Sequence, residues 1–224
     1  MGSELINVAI VDDHSLFRKT LRNYLSEQRN INVVIQSPDM PDLIDKLKHV
    51  HVSVLIMDLF MPVLGGVDAI NIIKNVYPNV KILVLSMCTD MELLSDTLNA
   101  GVFGILSKAD EPEDLVRAIT AVSENRIYHS RLFTEVMYWT KQNGNYDHLA
   151  SGNMKLNQRE KDIIQLLWEE KSNKEIADQL FLSVRSIEKI RQDLKEKLGI
   201  KSTIGLLKYA LHEKIIQINP RLVR

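Results

Sequence analysis

Cysteine is nearly absent: Cys88 is the only one in 224 residues. An internal disulfide is therefore excluded, and the six scattered histidines offer no zinc-ligand spacing around that thiol. No lysine, arginine or histidine flanks Cys88 to lower its pKa, so it reads as a small packing residue and not as a redox sensor. Long apolar runs are missing as well. None approaches the roughly 18 residues of a membrane span, and no basic segment followed by an apolar stretch and a cleavage site opens the chain. A soluble, cytoplasmic protein with no membrane partner is expected. Met1, Gly2 and Ser3 read as an expression remnant, because the first apolar strand pattern starts at Leu5.

Net charge is also scarce, −1 in total, but the near-balance hides an asymmetry. Residues 1–130 hold 11 Lys and Arg against 17 Asp and Glu, and residues 151–224 hold 15 against 10. A basic C-terminal part favours a polyanionic partner, and an acidic N-terminal part does not, so the halves are expected to do different work.

What is present divides the same way. Leu5–Val11, Val33–Gln36, Val52–Met57, Val80–Leu85 and Gly104–Leu106 are short apolar or β-branched segments separated by stretches of helical length. Continuous apolar strands such as Val54-Leu55-Ile56-Met57 are buried on both faces, as in a parallel sheet covered by helices on each side. The expected architecture is an α/β doubly wound, parallel five-stranded domain over 4–128. A linker helix and flexible linker follow over 129–154, the unpatterned part running from Gln142 to Lys155. An all-α four-helix domain then occupies 155–224.

In a doubly wound sheet, side chains at the C-terminal ends of the strands point into one crevice. Asp12 and Asp13 end the first strand, Asp58 the third and Ser86 the fourth, and Lys108 follows the fifth. Three converging carboxylates repel one another unless a cation neutralises them, and an all-oxygen set suits a hard ion such as Mg²⁺. One of them can then act as nucleophile toward a phosphoryl group held by the metal, Lys108 and the Ser86 hydroxyl.

These residues resemble the receiver-domain signature of response regulators over about residues 5–125: Val11-Asp12-Asp13-His14, Met57-Asp58-Leu59-Phe60-Met61-Pro62 with Gly66, Leu85-Ser86 and Ser107-Lys108. The resemblance implies that Asp58 is the phosphoacceptor. It implies that Asp12, Asp13, Asp58 and the backbone carbonyl of Phe60 hold Mg²⁺, that Ser86 is the switch hydroxyl, and that Lys108 contacts the phosphoryl group. Two positions depart from the pattern. Ile105 stands where the family usually has an aromatic, with Phe103 expected on the opposite side of the strand, and Gly65 replaces the polar residue common before the glycine.

In the C-terminal part, Asn157 with Glu160, and Ser172 with Glu175, fit capping boxes at two helix starts, and Ser183 caps a third helix. Ile187, Ile190, Leu194 and Leu198 form the core stripe of that helix, which leaves a polar face opposite. A short helix, a tight turn and a helix with a polar outward face is the geometry that enters a DNA major groove. The pattern resembles the LuxR-type helix-turn-helix of NarL/FixJ regulators over about 155–215, through Arg159-Glu160, Ser172-Asn173-Lys174-Glu175-Ile176-Ala177, Leu182-Ser183, Ser186-Ile187-Glu188 and Lys197-Leu198-Gly199. That resemblance implies a fourth helix from Ser202 to about Lys214. Lys189 and Gln192, with Glu188 at the edge, are expected to face base edges, and Lys174 and Arg185 to face phosphates.

The whole chain thus reads as a NarL/FixJ-type two-component response regulator that a sensor histidine kinase phosphorylates on Asp58. It is expected to bind DNA sequence-specifically as a homodimer on phosphorylation and to regulate transcription, with RNA polymerase as a further candidate partner. The alternative is an orphan regulator switched by protein or small-molecule binding without phosphorylation. An enzyme is not expected, because Leu59 and Phe60 supply no second general acid or base beside Asp58. RNA binding is disfavoured by the lack of exposed aromatics expected over Ser172–Leu198.

Overall fold

A computed structural model describes residues 5–143, 156–200 and 202–216. Residues 6–123 alternate strand and helix: β1 Ile6–Val11, α1 Ser15–Ser26, β2 Ile31–Ser37, α2 Met40–Leu47, β3 Val54–Met57, α3 Gly66–Val76, β4 Lys81–Ser86, α4 Met91–Asn99, β5 Gly104–Ser107 and α5 Pro112–Ser123. All five strands are parallel in the order β2-β1-β3-β4-β5. The chain reverses its direction of winding between β1 and β3, which is where a doubly wound sheet opens its crevice.

Alternation along the strands builds two cores. Ala9, Val11, Leu55, Met57, Ile82, Val84 and Ile105 face α2, α3 and α4. Val8, Ile10, Val54, Ile56, Leu83, Leu85 and Leu106 face α1 and α5, where Leu21, Leu25, Leu115 and Ile119 meet them. Phe103 lies on the α1/α5 side, opposite Ile105 as expected, although regular alternation puts residues two apart on one face. It precedes the first paired residue of β5, Gly104, and so is free of the strand's alternation.

The α6 helix, Arg131–Asn143, runs two residues further than the linker boundary at Gln142 allows, and residues 144–155 of the expected linker lie outside the described residues. The helix packs on β5 and α4. Its Phe133 is fully buried, and the Ser130 hydroxyl just before it donates to the Ile105 carbonyl. Four helices follow among the described residues: α7 Gln158–Trp168, α8 Asn173–Leu180, α9 Val184–Lys197 and α10 Thr203–His212. Both expected capping boxes are present, Asn157 with Glu160 and Ser172 with Glu175. The core stripe of α9 is also as expected: Ile187, Leu194 and Leu198 are buried, and Ile190 packs against them half-buried. No helix among the described residues is long and apolar enough to cross a membrane.

Ile105 is completely buried, in a strand that α6 covers. A larger ring there has no space to turn into. Ile105→Tyr should therefore overpack the core and destabilise the fold by about 1–3 kcal/mol, read as a lowered urea midpoint at unchanged slope.

Candidate functional site

Strand register brings the expected residues together. Val11 pairs with Met57, so the next residues, Asp12 and Asp58, leave the sheet side by side, and the Asp58 N–H donates to the Val11 carbonyl at 3.0 Å. Ser86 pairs with Ser107, so Lys108 leaves β5 next to them, its N–H donating to the Ser86 carbonyl at 3.0 Å. The Lys108 side chain then returns across the strand ends. Its Nζ lies 2.7 Å from Asp12 Oδ2 and 2.6 Å from Asp58 Oδ2.

Both carboxylates are buried, at 2% and 4% exposure, so leaving either unpaired would be costly. Lys108 supplies the compensation. Burial works to lower the pKa of its ammonium, but the hydrogen bonds and charges of Asp12 and Asp58 outweigh burial and raise it. The ammonium also sits over the Phe17 ring, 4.8 Å from its centroid. Asp58 Oδ1 accepts from the Phe60 N–H at 3.4 Å. Ser86 is fully buried at the end of β4, its hydroxyl accepting from the Cys88 N–H at 3.1 Å. Cys88 is buried, in keeping with a packing role.

Asp13 is exposed at the rim. It does not cap α1; the cap residue is His14, without a side-chain capping bond. The imidazole instead turns to the acids, with Nδ1 2.8 Å from Asp13 Oδ1 and 3.3 Å from Asp12 Oδ1. Ligand atoms of Asp12, Asp13, His14 and Asp58 all lie within 4.8 Å of one another. The three carboxylates form a hard-oxygen set that fits a small divalent cation. Sequence reading missed His14 and Phe17 here. His14 adjoins the acidic pair, and Phe17 lies on α1 one turn further on.

The expected DNA-facing residues, Lys174, Arg185, Glu188, Lys189 and Gln192, are all exposed. They are not equally free. Lys174 and Glu188 line a cleft of about 530 Å³ whose other wall is Glu124, Asn125 and Arg126 at the end of α5. Gln192 Nε2 donates to Glu196 Oε1 at 2.7 Å. Behind this face, Arg191 donates to the side chains of Asn173 and Thr203, tying α9 to the starts of α8 and α10. One expectation fails: Phe181, in the turn between α8 and α9, is 94% exposed, with φ +55° at the α8 C-cap. The turn's left-handed residue cannot tuck its ring into either helix, so this segment does show an aromatic to solvent.

Comparison with known proteins agrees with this geometry. Residues 8–120 match the response regulator receiver domain, and residues 154–210 match the bacterial regulatory proteins of the luxR family. The oxygen regulatory protein NreC of Staphylococcus aureus is 32% identical over 216 residues, covering 95% of this chain and 100% of that protein. The RcsB response regulator of Salmonella typhimurium is 30% identical, with a TM-score of 0.57 over 91% of this chain and 98% of its own. RcsB from Salmonella enterica serovar Typhimurium bound to promoter rprA with phosphomimetic BeF3- is 28% identical, with a TM-score of 0.57 over 93% and 99%. A structure of two RcsB dimers bound to two parallel DNAs is 28% identical, with a TM-score of 0.56 over 93% and 99%.

If Lys108 is what makes the buried acids tolerable, then Lys108→Met should cost about 3 kcal/mol in chelator, with part of that loss restored by Mg²⁺. Thermal melts of the wild type and the variant, in chelator and in Mg²⁺, test this: an equal loss under both conditions, or no loss, would contradict it.

Proposed function

The chain belongs to the response-regulator receiver family and carries a LuxR-type DNA-binding domain behind it, and from that premise we propose that Asp58 is the phosphoacceptor through which transcription is regulated. The carrying observation is the bridge from Lys108 to Asp12 and Asp58 at the switch point of the sheet. One Asp58 oxygen attacks the phosphorus of a phosphohistidine on a sensor kinase, the P–N bond breaks, and an acyl phosphate forms on Asp58. Lys108 is the cation at hand for the oxygens of the incoming group, and the Ser86 hydroxyl is a donor one strand away. Asp12, Asp13, Asp58 and the Phe60 carbonyl would hold Mg²⁺, which supplies positive charge to the transferring phosphoryl group when bound.

The output domain reads DNA from α9. Lys189 and Gln192, with Glu188 beside them, are assigned to base edges, and Lys174 and Arg185 to phosphates. Solved RcsB structures include dimers on DNA, which supports a dimeric DNA complex for this chain too. Lys174 and Glu188 face Glu124–Arg126 across a shared cleft, so a duplex on α9 would come up against the end of α5 in this arrangement.

Two measurements test the two halves. With a small phosphodonor and Mg²⁺, the wild type should show a slower band on a Phos-tag gel and Asp58→Asn none; an equally shifted Asn variant would remove Asp58 from the mechanism. In a binding-site selection, Lys189→Ala should cost about 1–3 kcal/mol on the selected site and relax one base position, whereas Lys174→Ala should weaken all sequences and reduce the salt slope by about one unit.

A further inference from the structure

The α10 helix is buried almost all round. Seven of its ten residues are buried, and the helix packs on α7 and α9 of its own domain and on α4 and α6 of the receiver side. Approach at its start is close: Gly101, in the turn before β5, has φ +90°, and a Cβ there would sit 3.0 Å from Ser202 Cβ. Within this contact lies a lysine. Lys208, on α10, is 2% exposed, and its Nζ donates to the Ser95 carbonyl at 2.9 Å, the Ser95 hydroxyl at 2.8 Å and Asn99 Oδ1 at 2.9 Å, all on α4. The Ser95 hydroxyl also bonds Thr140 of α6 at 3.1 Å. Each acceptor is neutral, and among the described residues no carboxylate contacts the ammonium; Asp96 acts on it only at a distance.

Three hydrogen bonds satisfy the donors of an ammonium but do not replace its counter-ion. Burial accordingly pushes Lys208 down to about 7, which means that the charged form is held less well here than in water. A second polar group in the same interface is also incompletely matched. His129 stacks on Phe133 and leans against Trp168 of α7, its backbone N–H donates to Glu170 Oε1 at 3.0 Å, and its buried Nε2 has no hydrogen-bond partner.

We infer that Lys208 weakens the docking of the output domain on α4 and α6, so that the docked arrangement stays close in free energy to an open one. The docking surface is α4 with α6, its occupant is this chain's own α10, and the lysine is the built-in reason that the occupant can leave. The release point is well placed. Ser86 touches the backbone at Cys88, two residues before the α4 cap Asp90, and α4 carries both Lys208 acceptor residues.

The test compares three variants of the full chain by hydrogen exchange of the α10 amides and by small-angle scattering, with circular dichroism as the check on folding. Lys208→Met keeps the volume and removes the charge, Lys208→Gln removes the charge but keeps an amide donor, and Asn99→Asp gives the ammonium a carboxylate. All three should slow α10 exchange, on the order of tenfold, and make the solution particle more compact. Lys208→Gln decides the matter if Lys208→Met does not fold. If the charge-removing variants exchange faster while Asn99→Asp exchanges more slowly, Lys208 holds the domains together and the inference is overturned; unchanged exchange in all three overturns it equally.

Discussion

One ammonium between two buried carboxylates is the constraint on which the C-terminal edge of the sheet depends. Register alone forces Asp12 and Asp58 together, because they follow a paired couple on adjacent parallel strands. Like charges brought together in a buried crevice repel one another strongly unless a cation lies between them. Lys108 is the only lysine or arginine among the described residues whose side chain contacts the two carboxylates, and it arrives from β5, two strands away from β3. The site is therefore balanced but not neutral. A group that adds negative charge to Asp58 must compete for the same ammonium, and in doing so loosens its hold on Asp12 and on the end of β5.

Much of this arrangement is legible in the sequence, and for a physical reason. Strands buried on both faces must be continuously apolar, so a polar residue that interrupts such a run marks its end, and in a parallel sheet the ends of one sense share a crevice. That is how Asp12, Asp58, Ser86 and Lys108 can be picked out before any coordinates. Capping is legible likewise, since Asn157 with Glu160 and Ser172 with Glu175 sit at fixed spacing before apolar stripes. Phe17 and His14 were not legible, because each follows a strong local rule, helical periodicity for one and proximity to a helix start for the other. Their second role depends on where Lys108 and Asp13 point. The exposed ring of Phe181 escapes the same reading, because a left-handed residue at a helix end breaks the face on which periodicity assigns burial.

The domain interface is the least legible part. Lys208 lies in a strongly apolar helix, Ile204 to Leu211, where a single lysine reads as the solvated edge. Only the packing of α10 against α4 turns that edge inward. The Gln142–Lys155 stretch, read as a spacer, gives no hint of it, because a linker's composition sets reach and not destination. Ile105 belongs to the same problem: its departure from the aromatic pattern makes sense once α6 is seen to cover β5, since a buried position beneath a helix favours a compact branched side chain over a ring.

Two buried lysines, Lys108 and Lys208, carry opposite settings, and the difference lies in their partners. Both are stripped of most water and both have their donors engaged across element boundaries. Lys108 meets two carboxylates and its pKa rises; Lys208 meets a carbonyl, a hydroxyl and an amide, and its pKa falls to about 7. Hydrogen-bond counts do not separate the two cases, but charge does, since a carboxylate repays the lost hydration of an ammonium and a neutral oxygen repays only part of it. The first lysine thus fixes the geometry of two carboxylates, and the second, on the inference drawn above, sits in a contact that it weakens. The α4 helix adjoins both surroundings, starting just past Ser86 and offering Ser95 and Asn99 to Lys208. A shift at the acid cluster therefore has a direct neighbour in the interface that holds Lys208.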